Sequence, residues 1–212
     1  MNVKSFTFNP FQENTYIVYD DTKECIIIDP GCYTNSERKE LNDFINEKNL
    51  IPIKLINTHC HIDHVLGNKF VSTEWDIQLY MHKEDLPVLE MAEDIGKMYN
   101  LEDYEGSPLP KHFLAQGDIL TFGESNFEVL FTPGHAPGHI CLYSKKNNLL
   151  IAGDVIFQGS IGRTDLPGGD HAALINSIKK QLFPLPNKTQ VFCGHGPSTN
   201  LGYEKEHNPF LQ

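Results

Sequence analysis

The chain has 212 residues, 40% hydrophobic and 21% charged, with a formal net charge of −11 at pH 7; that length buries an apolar core without staples, and the composition excludes a disordered or low-complexity protein. An acidic chain whose basic runs do not exceed pairs such as Lys145-Lys146 and Lys179-Lys180 is unsuited to tracking a phosphate backbone, so a small-molecule substrate is expected and a nucleic-acid partner is not. Met1 to Phe6 lacks the apolar core of a secretory signal and no apolar run reaches membrane-spanning length, which predicts no membrane partner and a cytoplasmic location.

Along the chain, Asn14 to Tyr19 and Glu24 to Asp29 alternate apolar and polar around Asp20-Asp21-Thr22-Lys23, a β-hairpin closed by Pro30-Gly31. Leu41, Phe44 and Ile45 then recur at helical spacing within Ser36 to Asn49, with Ser36 as the N-cap. Ile51 to Asn57 reads as a buried strand, followed by a short helix near Gly67 to Phe70, a strand from Gln78 to Met81 and a helix within Lys83 to Tyr99. From Ile119 an antiparallel meander is predicted over Ile119–Phe122, Phe127–Thr132, His139–Ser144 and Leu149–Ala152, with turns at Gly123 to Asn126 and Lys145 to Asn148. A helix over His171 to Phe183, a strand over Gln190 to Cys193 and a terminal helix over Tyr203 to Phe210 complete the chain. No fixed-period repeat is present, which excludes a solenoid. Two sheets packed face to face with helices outside would bury both strand sets, in a single domain over 1–212.

The segment Thr58-His59-Cys60-His61-Ile62-Asp63-His64 gathers three imidazoles and a carboxylate behind the apolar run Ile53-Lys54-Leu55-Ile56. So many ionisable groups beside an apolar strand are costly to desolvate without a compensating cation. They exceed what one structural zinc draws from one loop, which points to two adjacent ions. Later strands end in Gly134-His135, Gly153-Asp154 and Gly194-His195, each glycine letting the backbone turn sharply. Two ions sharing a carboxylate need about seven protein donors. The loops offer His59, His61, Asp63, His64, His135, Asp154 and His195. His139 is expected to orient a loop by hydrogen bonding, and His82, His112, His171 and His207 to be surface or packing residues. The five cysteines, Cys25, Cys32, Cys60, Cys141 and Cys193, form an odd set without a C-x-x-C pair, which predicts reduced, buried thiols.

The motifs H-x-H-x-D-H at His59 to His64, T-P-G-H-x-P-G-H at Thr132 to His139, A-G-D at Ala152 to Asp154 and G-H-G-P at Gly194 to Pro197 resemble, in that order, the metallo-β-lactamase superfamily. The resemblance implies an α/β fold, the αββα four-layer sandwich of two mixed sheets with helices outside. Asp154 beside the full His59-His61-Asp63-His64 set is similar to the glyoxalase II branch, and Phe157 to Asp170 resembles its short single-domain members, which lack the C-terminal helical domain that holds glutathione. By that likeness His59, His61 and His135 hold one ion, Asp63, His64 and His195 hold the other, and Asp154 bridges. Arg163 falls where a basic substrate contact would lie; pairing with a substrate carboxylate and a salt bridge with Asp165 or Asp170 are both open.

The activity so implied is metal-dependent hydrolysis of an acyl thioester of the S-lactoylglutathione type by a metal-bridging hydroxide, with Asp63 as the catalytic residue that orients the attack. The cofactors are two divalent metal ions, zinc in first place, with iron or manganese accepted by the same donors. Two alternatives share the ligands. A persulfide (sulfur) dioxygenase would use one iron held by His59, His135 and Asp154, the facial set suited to non-heme Fe(II), and a lactone hydrolase would differ only in its substrate pocket. No heptad or long exposed apolar helix announces an oligomer interface.

Overall fold

In the computed structural model, which describes residues 1–212, the chain resolves into two compact units, Met1–Phe113 with Thr121–Ser125, and Leu114–Leu120 with Asn126–Gln212. Strands β1 (Asn2–Phe8), β2 (Glu13–Tyr19), β3 (Glu24–Ile28), β4 (Ile51–Ile56), β5 (Leu79–His82) and β6 (His112–Leu114) form a six-stranded sheet in that order. The β2–β3 hairpin is as predicted. Strand β1, which the sequence pattern did not announce, pairs antiparallel with β2 from Asn2↔Tyr19 to Phe8↔Glu13; its outer end is polar and partly exposed, so only Phe6 and Phe8 mark the buried face.

Helix α1 (Asn35–Lys48) starts earlier than Ser36 suggests, because Thr34 is the cap: its side chain accepts from the Glu37 N–H while Glu37 reaches back to the Thr34 N–H. Leu41 and Ile45, one helical turn apart, are buried in the unit's core beside Ile17, Ile27 and Leu55. Because α1 carries the chain from β3 to β4, those strands pair in parallel and their carboxyl ends share one edge, where the Asp29 N–H donates to the Ile56 carbonyl (2.9 Å). That edge is where polar donors gather in such sheets. Helices α2 (Ile62–Val65), α3 (Asn68–Glu74) and α4 (Leu86–Met98) follow, and no helix is long and apolar enough to cross a membrane.

The second sheet runs, from one edge, through strands β7 (Ile119–Phe122), β8 (Ser125–Phe131), β9 (Ile140–Ser144), β10 (Leu149–Gly153), β13 (Gln190–Cys193) and β14 (Thr199–Asn200). Strands β8, β9 and β10 pair antiparallel in the expected meander, whereas β13 lies parallel to β10. A register shift between Ile151 and Gly153 sets Gly153 opposite Cys193, so Asp154 and His195 leave neighbouring strand ends on the same edge. Between them, β11 (Ile156–Phe157) and β12 (Ser160–Ile161) make a separate two-stranded ribbon. Helix α5 (His171–Ser177) continues as a wider turn over Ile178–Leu182, and α6 spans Leu201–His207. It begins ahead of Tyr203 because the Asn200 side chain caps it, accepting from the Tyr203 N–H.

Candidate metal centre

The first unit brings His59, His61, Asp63 and His64 together in the loop and short helix that follow β4. The His59 ring lies 4.8 Å from His61 and 4.1 Å from His64, centroid to centroid. The Asp63 carboxylate approaches His64 Nε2 to 3.6 Å. Within such a loop the backbone has no ladder to hold it, and three side chains from other segments, with Asn57 at the root of the loop, supply the missing bonds. Asp29, in the left-handed conformation at φ 48, accepts from the Thr58 N–H (2.7 Å) and the Thr58 hydroxyl (2.5 Å). Asp85 accepts from the Cys60 N–H (2.6 Å), Asn57 donates to the His64 carbonyl (3.1 Å), and Asn9 donates to the Asp63 carbonyl (3.0 Å). Asn9 also donates to the Gly31 carbonyl (3.0 Å) and sits at φ 53, a conformation asparagine tolerates well.

These bonds set the imidazole tautomers. His64 Nδ1 faces a carboxylate oxygen of Asp29 at 3.2 Å, which only accepts, so Nδ1 carries the proton. The Thr58 hydroxyl directs its hydrogen to Asp29, so its oxygen accepts from His59 Nδ1 (3.2 Å). Both rings therefore offer Nε2 as the lone-pair nitrogen, the arrangement in which a partner on the other nitrogen orients a metal-binding histidine. Ligand-type atoms of Asp29, His59 and His64 all lie within 4.8 Å of one another, but the bonds of Asp29 to Thr58 and His64 mark it as the residue that orients the rings. Glu13 is fully buried behind His64, where burial holds its carboxyl well above the usual carboxylate range and outweighs the lowering by His64.

The second unit brings together His135, Asp154 and His195. Nε2 of His135 and Nε2 of His195 each lie 3.5 Å from the same Asp154 oxygen. His135 Nδ1 donates to the Arg163 carbonyl (2.7 Å), which again leaves Nε2 as the donor nitrogen. Gly153 turns the chain at φ 49 just before Asp154. His139, fully buried, accepts the Asp154 N–H at its Nε2 (3.0 Å) and turns Nδ1 toward the Thr132 hydroxyl (3.3 Å). It orients the Asp154 backbone, in agreement with its expected role. The Arg163 side chain forms a two-pronged pair with Asp165, both bonds 2.7 Å, while Asp170 caps α5 by accepting from the Ala173 N–H. Of the carboxylates considered for it, Asp165 is the one engaged.

All five cysteines are free and buried, as predicted. Burial pushes the Cys193 thiol up to about 12 and raises that of Cys60 as well, so neither is a thiolate waiting beside the histidines. Sequence reasoning missed Asn9, Asp29, Asn57 and Asp85. Only Asp29, next to Pro30-Gly31 at a strand end, carried a local signal.

The donor chemistry fits divalent ions: imidazole nitrogens with their second nitrogen already committed, interleaved with the carboxylates of Asp63 and Asp154. The family model of the metallo-beta-lactamase superfamily matches residues 8–195, and the chain belongs to that superfamily. It is similar to the hydroxyacylglutathione hydrolase GloC of Haemophilus influenzae, 35% identical over 212 residues that cover 100% of this chain and 98% of that protein. Among solved structures, the BLEG-1 B3 metallo-beta-lactamase matches with a TM-score of 0.91 and 37% identity over 100% of both chains. TTHA1623 in a di-iron-bound form matches with a TM-score of 0.88 and 39% identity over 99% of this chain and 100% of that one. The two mixed sheets with their helices are thus the metallo-β-lactamase fold that the sequence motifs implied.

Proposed function

We propose that the protein is a dinuclear-metal hydrolase that cleaves an acyl thioester of the S-lactoylglutathione type. The observation that carries this reading is the orientation of the donor imidazoles. His59, His64 and His135 each commit Nδ1 to an oxygen of their own unit, which keeps three Nε2 lone pairs for metal beside the carboxylates of Asp63 and Asp154. Full-length likeness to a hydroxyacylglutathione hydrolase supports the thioester as the substrate class. By the family likeness, His59, His61 and His135 would hold one ion and Asp63, His64 and His195 the other, with Asp154 shared. When bound, the ions supply an acidified water and an electrophile for the carbonyl. Asp63, its carbonyl tied down by Asn9, presents a carboxylate that accepts a hydrogen bond from the attacking water and aims it. The departing thiolate is a good leaving group and asks little of any general acid. Zinc is the first choice of ion, and likeness to a di-iron-bound structure makes iron the second.

The test is metal analysis of the purified protein together with turnover of S-lactoylglutathione, glutathione persulfide, a cephalosporin and an acyl-homoserine lactone. Two ions per chain and thioester hydrolysis are expected. One iron per chain with oxygen uptake on the persulfide overturns the reading in favour of a dioxygenase; turnover of the lactam or the lactone alone overturns the substrate class.

A further inference from the structure

In the second unit, the β11–β12 ribbon and the residues just past it touch every donor. The Phe157 ring lies edge-on to the His195 ring at 6.2 Å. Gly162 sits so close beneath Asp154 that a Cβ there would overlap the Asp154 carbonyl and come within 3.1 Å of His135 Nδ1. The next residue, Arg163, supplies the carbonyl that accepts from His135 Nδ1. One short ribbon thereby fixes the ring of His135, bounds the backbone of Asp154 and backs the ring of His195.

The ribbon does not hold itself. Its strands exchange only the pairs Ile156↔Ile161 and Phe157↔Ser160, and an isolated two-stranded hairpin is marginal in water even when longer. Its tip is instead gripped from α6. Glu204, fully buried, accepts with one oxygen from the Gly159 N–H (3.0 Å) and from Asn208 Nδ2 (2.8 Å), and with the other from the Thr199 hydroxyl (2.5 Å). Asn208, fully buried too, donates from the same Nδ2 to the Ser160 carbonyl (2.9 Å). Gly159 itself stands at φ +68, a left-handed turn at the tip that presents its N–H to the Glu204 carboxylate. A buried carboxylate with three donors converging on two oxygens is a costly feature for a mere helix support.

We propose that Glu204, assisted by Asn208, is a positioning residue for the second donor set: by anchoring the ribbon tip it holds the Gly162-Arg163 backbone against His135 and Asp154. The inference rests on the reading of His135, Asp154 and His195 as metal donors. Glu204→Gln is the informative variant, because an amide has one oxygen where the carboxylate has two and turns an N–H toward a donor. Lys205→Ala is the matched control. On the same helix, Lys205 donates to the Leu185 carbonyl (3.0 Å) and to Asn187 (2.7 Å), an anchor that serves a different segment.

The experiment titrates the full-length metal-free protein with Co²⁺, read by its visible absorption and by competition with a chromophoric chelator, alongside urea unfolding of each variant. Glu204→Gln is expected to weaken binding of at least one ion about tenfold or more, within the range of roughly 10–100-fold seen when outer partners of metal ligands are removed. Asn208→Ala should weaken it by the same route at the lower end of that range, about tenfold, and it carries the test if Glu204→Gln fails to fold. Lys205→Ala should lower the unfolding midpoint and leave both affinities unchanged. Glu204→Gln or Asn208→Ala that unfolds more readily yet binds both ions like the parent protein overturns the inference alone. A parent protein that binds no Co²⁺ overturns the proposed function along with it.

Discussion

The four donors of the first unit lie within six positions, His59 to His64, and are held by side chains arriving from distant segments, Asp29, Asp85 and Asn9, and by Asn57 at the root of the same loop. The three donors of the second unit lie on separate strand-end loops, and their ties are largely backbone: the Arg163 carbonyl on His135, the Gly162 backbone under Asp154, the Asp154 N–H on His139. The contrast follows from chain geometry. A motif that spaces ligands two residues apart consumes its own backbone in turning and leaves N–H and C=O groups that must be paired from outside. A donor placed just past a strand end, as Asp154 is past Gly153 and His195 past Cys193, inherits a backbone positioned by its ladder. The first set is therefore directly vulnerable to the loss of a polar side chain; the second is directly vulnerable to the gain of a methyl group and feels a lost polar side chain only through the ribbon that Glu204 and Asn208 anchor.

Asp29→Ala is expected to have the largest effect. It leaves the Thr58 N–H and hydroxyl without their buried acceptor and frees the His64 ring, at about 1–3 kcal/mol for each unpaired group. Alanine at φ 48 adds about 1 kcal/mol. Urea unfolding of the metal-free protein should show a loss of about 3 kcal/mol or more, and turnover of the metal-loaded enzyme should fall by about a hundredfold, the upper end for an outer partner of metal ligands. A variant with parental stability and metal content would show that the loop holds its shape unaided and would erase the contrast. Gly162→Ala is the mirror experiment. Its methyl group must displace the Asp154 carbonyl or the His135 ring, and an overpacked site of this kind costs about 1–3 kcal/mol. Metal affinity should drop roughly 10–100-fold with the hydrogen-bonding groups of the first set untouched. Equal behaviour of Gly162→Ala and the parent in a Co²⁺ titration would remove the steric half of the argument.

The same contrast explains what was legible in the sequence. The candidate donors were readable in both sets because each has a local mark, the tight His and Asp spacing in one and a glycine before each candidate in the other. His139 was ambiguous in the sequence, since four residues past His135 it could compete for the same role; its hydrogen bond from the Asp154 N–H fits the orienting role that a seven-donor count left to it. The residues that hold the first set were not readable. Asn9 acts on Asp63 across 54 positions, Asp29 on His64 across 35 and Asp85 on Cys60 across 25, and no local pattern links such pairs. The β11–β12 ribbon escaped because two-residue strands show no period. Strand β1 escaped because its outward face is polar and its pairing partner, β2, was already explained by the hairpin with β3. Helix α1 was found but its cap misplaced, since Ser36 satisfies the residue preference while Thr34 alone has glutamate three positions on.

The smallest expected effect separates structure from substrate at Arg163, whose backbone and side chain belong to different problems. Its carbonyl orients His135 whatever the side chain does, so Arg163→Ala should leave metal content unchanged. Its guanidinium is exposed and forked onto Asp165, whose carboxyl the Arg163 hydrogen bonds lower to about 2. A depressed carboxyl keeps its partner at every pH above its ordinary range and releases it only as the pH falls through about 2, so the pair is intact under any assay condition near neutrality. An anionic substrate reaching for Arg163 must therefore compete with Asp165. If it does, Asp165→Asn removes that competitor and lowers KM for S-lactoylglutathione, while Arg163→Ala raises it about two- to fivefold with kcat unchanged, the modest range that exposed charge pairs provide. Opposite shifts from the two variants assign Arg163 to the substrate; identical KM values in both variants and the parent leave it as a surface pair whose one contribution to the metal centre is its carbonyl.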